Sequence, residues 1–155
     1  MTSAITAQPT VVGIDPRGPR LAASVTSVVL AIALVAPLPV AVALLVVQTG
    51  VFAAGALRGV QHTPYAAVFR RVVRPRLGPP AELEDPRPPR FAQGLGLAFT
   101  ATAVVTLLLG TSLAGLTVVG LVATGLALVA ALLNAVFGLC LGCELYLILR
   151  RASDR

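Results

Sequence analysis

The 155-residue chain has no lysine and no tryptophan, one histidine, one methionine and two cysteines. Only 12% of it is charged and 5% aromatic, against 57% hydrophobic residues and a mean hydropathy of +0.91. So little charge excludes a water-soluble single domain, because such a surface cannot be kept wet. The scarcity of aromatics removes the usual platform for base stacking. The net charge of +6 therefore points away from nucleic acid and towards anionic lipid, which attracts each nearby arginine by about 1 kcal/mol. One histidine and two cysteines leave little for a metal, and the chain implies no cofactor.

What it has in abundance is uncharged sequence, in two runs at 21–57 and 91–143. A helical span needs about 20 apolar residues, so each run crosses a bilayer twice. Pro37 and Pro39 remove backbone donors and place a turn in the first run, giving helices at 21–36 and 40–57. The first is only about 24 Å long and must borrow length from Pro19 and Arg20. In the second run a span at 91–109 is followed by a turn at Gly110, Thr111 and Ser112, and a fourth span starts near Leu113. Residues 113–149 would make a helix of about 55 Å against a hydrocarbon core of about 30 Å. A break near Asn134, Gly138 or Gly142 must separate the fourth span from a short terminal interfacial helix. The expectation is an all-α membrane protein with four transmembrane helices in a compact bundle, a cytoplasmic amphipathic helix and that terminal helix.

All twelve basic residues are arginines. They lie in the tail 1–20, the loop 58–90 and the end of the chain at 150–155, on either side of hairpins at 21–57 and 91–149. With an even number of spans these segments share one face, and the positive-inside rule makes it cytoplasmic, with both termini inside a bacterial plasma membrane. A cleaved signal peptide is the competing reading of Arg17, Arg20 and the stretch up to Ala41, Val42 and Ala43. The apolar run continues to Leu57, past the end of any h-region, and this favours an uncleaved span.

In the loop, Thr63 suits a helix cap and Pro64 the first turn. Tyr65, Val68, Phe69, Val72 and Val73 recur at helical spacing, with Arg70, Arg71 and Arg74 on the other side. The segment 64–74 reads as an amphipathic helix lying on anionic headgroups through those three arginines, as a brace rather than a recognition element. The proline-rich stretch after it is expected as an extended strap, with Glu82, Glu84 and Asp85 available to neighbouring arginines. His62 suits backbone hydrogen bonding better than proton relay, because no second titrating group adjoins it in sequence.

Helices in lipid associate where small residues let backbones approach. Gly94, Ala98, Thr102, Thr106 and Gly110 form such a stripe at every fourth position, and Ala23, Ser27 and Ala31 form another. They fit a compact bundle and a homodimer face equally. The first three spans carry no intramembrane charge, which counts against an ion-coupled transporter.

The cysteines stand three apart as Cys140 and Cys143, a spacing that chance gives in about one case in eighty by counting positions. At i and i+3 of a helix both sulfurs share one side, and a cysteine at a helix N-terminus has its thiolate stabilised by the dipole. Glu144 beside them opposes a thiolate or shuttles a proton, and Gly142 leaves room for a partner's backbone. Three readings stand open: a redox dithiol, two small apolar packing residues, and half of a metal site whose further ligand would have to be His62.

The stretches 13–20, 63–80 and 138–146, with Gly13-Ile14-Asp15-Pro16-Arg17-Gly18-Pro19-Arg20, Thr63-Pro64-Tyr65 and Gly138-Leu139-Cys140-Leu141-Gly142-Cys143-Glu144-Leu145-Tyr146, together resemble a bacterial membrane family catalogued as domain of unknown function 4395. The resemblance runs from about Val12 to Arg151. It implies a multi-span membrane protein of unassigned activity. Members tend to be encoded near thioredoxin-like and sulfurtransferase-like proteins, which favours the thiol reading and suggests that class of partner. The leading expectation is thiol–disulfide exchange or sulfur transfer through Cys140, Cys143 and Glu144. The alternative is a non-catalytic membrane scaffold or small transporter subunit that docks a cytoplasmic partner.

Overall fold

The computed structural model describes residues 13–110 and 112–153. Four helices long and apolar enough to cross a membrane pack side by side: α1 (Arg17–Val35), α2 (Leu38–Arg58), α4 (Arg87–Leu109) and α5 (Ala114–Phe137). A short helix α3 (Pro64–Val68) runs on through a π turn at Phe69–Val73 and a 3-10 turn at Arg74–Arg76, and α6 (Leu141–Ser153) ends the described chain. Most of the expected tail 1–20, together with Thr111 of the expected turn and residues 154 and 155 of the terminal segment, lies outside the described residues.

The first span starts earlier than its apolar run. Asp15 Oδ1 accepts the Arg17 N–H at 3.0 Å and opens α1 at Arg17. Its 19 residues reach about 28 Å, so the length missing from 21–36 comes from Arg17 to Arg20. α2 starts directly after Pro37, with Pro39 in its first turn where the missing donor costs nothing. In α4, Pro88 and Pro89 do the same, and Asp85 Oδ1 accepts the Arg87 N–H at 2.9 Å. Gly59 (φ 98°) and Gly138 (φ 70°) end α2 and α5 in backbone conformations that side chains rarely adopt. Of the three candidate breakpoints before the terminal helix, the chain uses Gly138.

These starts and stops repeat. Asp15-Pro16-Arg17-Gly18-Pro19-Arg20 opens α1, and Asp85-Pro86-Arg87-Pro88-Pro89-Arg90 opens α4 seventy positions later. Ile14 and Glu84, also seventy apart, pair in an antiparallel bridge with both N–H···O distances 2.9 Å. A position that pairs with its own equivalent marks a local two-fold relation between the halves. Packing follows it: α1 lies on α5 and α4 on α2, while α3 rests on α1 and α6 on α4. Arg20 donates to the carbonyls of Ala135 and Val136 at 3.0 and 2.7 Å, and Arg90 to those of Ala56 and Leu57 at 2.7 and 2.9 Å. Each arginine thereby satisfies the carbonyl end of the other half's second helix, where the dipole favours a cation. These contacts gather the starts of α1 and α4 and the ends of α2 and α5 at one end of the bundle.

The core is Leu30, Ala33, Leu45, Ala103, Leu107, Ala123 and Ala127. On α4 the buried face is Thr100, Ala103 and Leu107, with Gly96 against Phe52. The every-fourth stripe is corrected in its first part: Ala98 and Thr102 are exposed and Gly94 faces open space, whereas Thr106 and Gly110 lie close against Gly120 and Thr117 of α5. A four-residue step turns a helix through about 400°, so from Gly94 to Gly110 the stripe drifts by about 160° and cannot stay on one face. In α1, Ala23 and Ser27 are buried as expected, but Ala31 is exposed and Leu30 takes the inward place. Inside the bundle Gln48 is fully buried. Its Nε2 donates to Thr26 Oγ1 at 3.2 Å, and its Oε1 accepts from Tyr65 Oη at 2.8 Å.

Candidate functional site

Cys140 is the cap of α6. Its carbonyl accepts the Glu144 N–H at 3.0 Å, and its sulfur accepts the Cys143 N–H at 3.3 Å. The two sulfurs are bonded to each other, with Cα atoms 5.2 Å apart. Both cysteines are half-buried, and Glu144 is exposed in the first turn. Among the described residues no group of three metal-ligating side chains occurs. His62 belongs to the turn after α2 and is exposed, with no side-chain partner among the described residues.

Gly142 is already occupied. A Cβ there would lie 2.6 Å from Ala92 Cβ and 2.7 Å from Ala92 Cα, so this glycine seats α6 on α4 rather than leaving room for an incoming chain. One turn on, the Tyr146 ring tilts over Phe91 with centroids 5.6 Å apart. Both rings line a cleft of about 420 Å³ with Arg87, Arg90 and Leu95. The cysteine pair is thus anchored on three sides: Arg20 on the end of α5 before it, the left-handed Gly138, and Ala92 beneath it.

The repeat supplies an internal control. In the first half Thr63 occupies the place of Cys140. Its Oγ1 accepts the Ala66 N–H at 3.2 Å, with the same three-residue spacing that joins Cys140 Sγ to the Cys143 N–H. The Thr63 hydroxyl caps α3, and Phe69 against Gly18 seats it.

The three arginines of the loop part company. All three are exposed, but Arg70 and Arg74 line a cavity of about 240 Å³ between α3, the segment before α1 and the start of α4, and Arg71 lies outside it. The apolar side splits likewise. Phe69 is buried against Gly18 and Tyr65 turns to Gln48, while Val68 and Val72 remain exposed. The π turn at Phe69–Val73 widens the helix and shifts its phase. Of the expected carboxylate pairs, Asp85 meets Arg87 at 3.7 Å. The tighter one, Asp15 with Arg17 at 2.9 Å, lies before α1. Arg17 holds the Asp15 carboxyl below its ordinary range by hydrogen bonding, against some desolvation, while burial pushes the Tyr65 hydroxyl up.

A family model described as Domain of unknown function (DUF4395) matches residues 14–151. The chain belongs to this family. The DUF4395 match runs from the Ile14 bridge to the last turns of α6 and so takes in both halves and the cysteine pair. Comparison with curated proteins gives no match, and neither does comparison with solved structures. The sequence assigned no helix-capping role to Asp15, Arg20 or Arg90 and no buried role to Gln48 or Gln93. The signal for the first three was present as Asp-Pro-Arg-x-Pro-Arg occurring twice.

Proposed function

We propose that this DUF4395 protein is a membrane-embedded thiol–disulfide exchanger, with Cys140 and Cys143 turned to a soluble thioredoxin-like or sulfurtransferase-like partner in the bacterial cytoplasm. The observation that carries the reading is the sulfur cap of α6, where the equivalent helix of the first half is capped by the Thr63 hydroxyl. In the exchange a partner thiolate attacks Sγ of Cys140. A partner–Cys140 disulfide forms, the Cys140–Cys143 bond breaks, and Cys143 leaves as the thiolate. A second partner thiol then attacks its own mixed disulfide and releases Cys140. Two electrons and two protons pass to the pair, and the partner leaves oxidised. In the reverse direction Cys140 attacks first, because its sulfur accepts a backbone N–H at the positive end of a helix, which favours a thiolate. Glu144, exposed beside Cys143, exchanges the proton with water.

The orientation belongs to the same proposal. Arg17, Arg20, Arg58, Arg87 and Arg90 gather at the end of the bundle where α1 and α4 start and α2 ends, and the positive-inside rule makes that end cytoplasmic. Arg71, together with the exposed Val68 and Val72, then meets the lipid headgroups and the upper acyl region. In intact membranes, mass spectrometry after a water-soluble alkylating reagent is expected to find both thiols protected until reductant is added, and then labelled. Cys143→Ser is expected to trap a covalent complex between Cys140 and a thioredoxin-like protein, and Cys140→Ser/Cys143→Ser to abolish it while the bundle stays folded. Thiols that resist the reagent after reduction, with no trapped complex, would reduce the pair to packing residues and leave a scaffold that docks its partner without chemistry.

A further inference from the structure

We infer that the cavity beneath α3 is a binding site for a phospholipid headgroup carrying a phosphate ester and a neighbouring hydroxyl or ammonium donor. Three features of the cavity define that chemistry. First, its charges do not cancel. Asp15 is neutralised by Arg17, and its side chain is only 7% exposed. Arg70 and Arg74 also line the space. Arg70 spends one N–H on the Gln61 carbonyl, and Arg74, whose charge also acts on Asp15, makes no hydrogen bond or ion pair among the described residues. Two guanidinium groups on one cavity select phosphate, which they meet with several N–H donors at once.

Second, an acceptor is left over. Gln93 of α4 lines the same cavity, and its Oε1 is buried with no hydrogen-bond partner. Its side chain lies close over Gly55 of α2, which has no Cβ to crowd it. A buried acceptor is costly to leave without a partner. A phosphate diester adds only acceptors, so an occupant that relieves Gln93 brings a hydroxyl or an ammonium, with the amide turned from Gly55 towards the cavity.

Third, the size and the walls fit. At about 30 Å³ per water, the cavity's volume of about 240 Å³ exceeds what one or two bridging waters fill. Pro19, Ala22, Val60 and Phe69 supply apolar wall, and the exposed Val68 and Val72 lie on the same helical segment. A headgroup seated on Arg70 and Arg74 can leave its acyl chains in the bilayer. A free phosphate ester shares the polar chemistry but would make no use of that apolar wall.

The test uses the purified full-length chain in detergent, with native mass spectrometry reading retained lipid. Phosphatidylglycerol, which has a phosphate with hydroxyl donors, is expected to be retained at least about tenfold over phosphatidylcholine, which has a phosphate but no N–H or O–H. Arg70→Gln/Arg74→Gln is expected to lose that retention about tenfold, and Arg71→Gln to stay within about twofold of wild type. Gln93→Leu is expected to erase the preference between the two lipids while leaving phosphatidylcholine binding unchanged. Arg74→Gln alone, which removes no bond within the chain, carries the test if the double variant aggregates. Displacement of phosphatidylglycerol by equimolar glycerol 3-phosphate would keep the site and make its ligand a soluble phosphate ester. Equal retention of the two lipids by wild type, or equal losses in the Arg71 and Arg70/Arg74 variants, would overturn the proposal in favour of unspecific surface attraction.

Discussion

Gly142→Ala tests the seating of the cysteine helix directly. The added methyl would sit 2.6 Å from Ala92 Cβ and 2.7 Å from Ala92 Cα, whereas comfortable carbon contacts lie at about 3.5–4.0 Å. The first turn of α6 must therefore move off α4 by about 1 Å. It cannot escape by a rotamer change, since the obstacle includes backbone. Overpacking of this kind costs about 1–3 kcal/mol, and the better helix propensity of alanine returns less than about 1 kcal/mol at a first-turn position. At about 2–4 °C per kcal/mol for a chain of this size, the net loss of about 1–2 kcal/mol lowers Tm by about 2–8 °C. Gly94→Ala is the control. It stands on the neighbouring helix with nothing within 4 Å of its new methyl, and it should raise Tm by about 1–4 °C through propensity alone. Far-UV circular dichroism melts of both variants in one detergent decide the matter. A Gly142→Ala protein melting at or above wild type would mean that α6 does not rest on Ala92, and the anchoring of the cysteine pair would fall with it.

The Asp15–Arg17 pair has a signed pH dependence. Because the folded carboxyl titrates below its unfolded value, its stabilisation is present above about pH 4 and is lost as pH falls through the folded value. The Tm gap between wild type and Asp15→Asn should accordingly be open at pH 7 and narrow as pH falls below about 4; a constant gap would refute the linkage. For Gln48, a double-mutant cycle of Gln48→Leu with Tyr65→Phe should return a coupling of about 0.6–1.7 kcal/mol, the range for polar contacts between helices in a bilayer, and zero coupling would remove the Tyr65 hydrogen bond. For the threading, a reporter active only outside the cytoplasm should be silent when fused after Arg155 and active when inserted at Ser112. Activity at the C-terminus would overturn the inside orientation.

Periodicity and composition carried the fold a long way because lipid imposes so few alternatives. Any uncharged run of sufficient length must be helical to satisfy its own backbone, and Pro37, Pro39 and Gly138 sit where no helix continues. Which face of each helix turns inward was not legible by the same route. Outside water no apolar contrast marks the buried side, and Gly94, Ala98 and Thr102 looked like an interface only because their four-residue spacing was read as straight. The three loop arginines were legible as a basic face but not as two functions, since the π turn that separates Arg71 from Arg70 and Arg74 leaves no mark in composition. Cys140 was legible as a cap from Gly138 and the dipole argument. That Thr63 is its counterpart rests on the order of the elements, since each caps the helix that follows its half's second span.

The crossed arrangement of the halves has a consequence for biosynthesis. α1 packs more extensively on α5 than on its own hairpin partner, yet about 100 residues separate the end of one from the end of the other. At about 5–20 residues per second, α1 is in the bilayer for about 5–20 s before its principal neighbour has been made. During that interval its buried polar residues, Thr26 and Ser27, face lipid. Ser27 closes on the Ala23 carbonyl of its own helix, and Thr26 meets the amide of Gln48 as soon as α2 follows. That amide joins the two helices of the first hairpin. It holds the first hairpin in register until Arg20 finds the carbonyl end of α5, and a nascent chain lacking it would present an unpaired polar face to the quality-control machinery of the membrane.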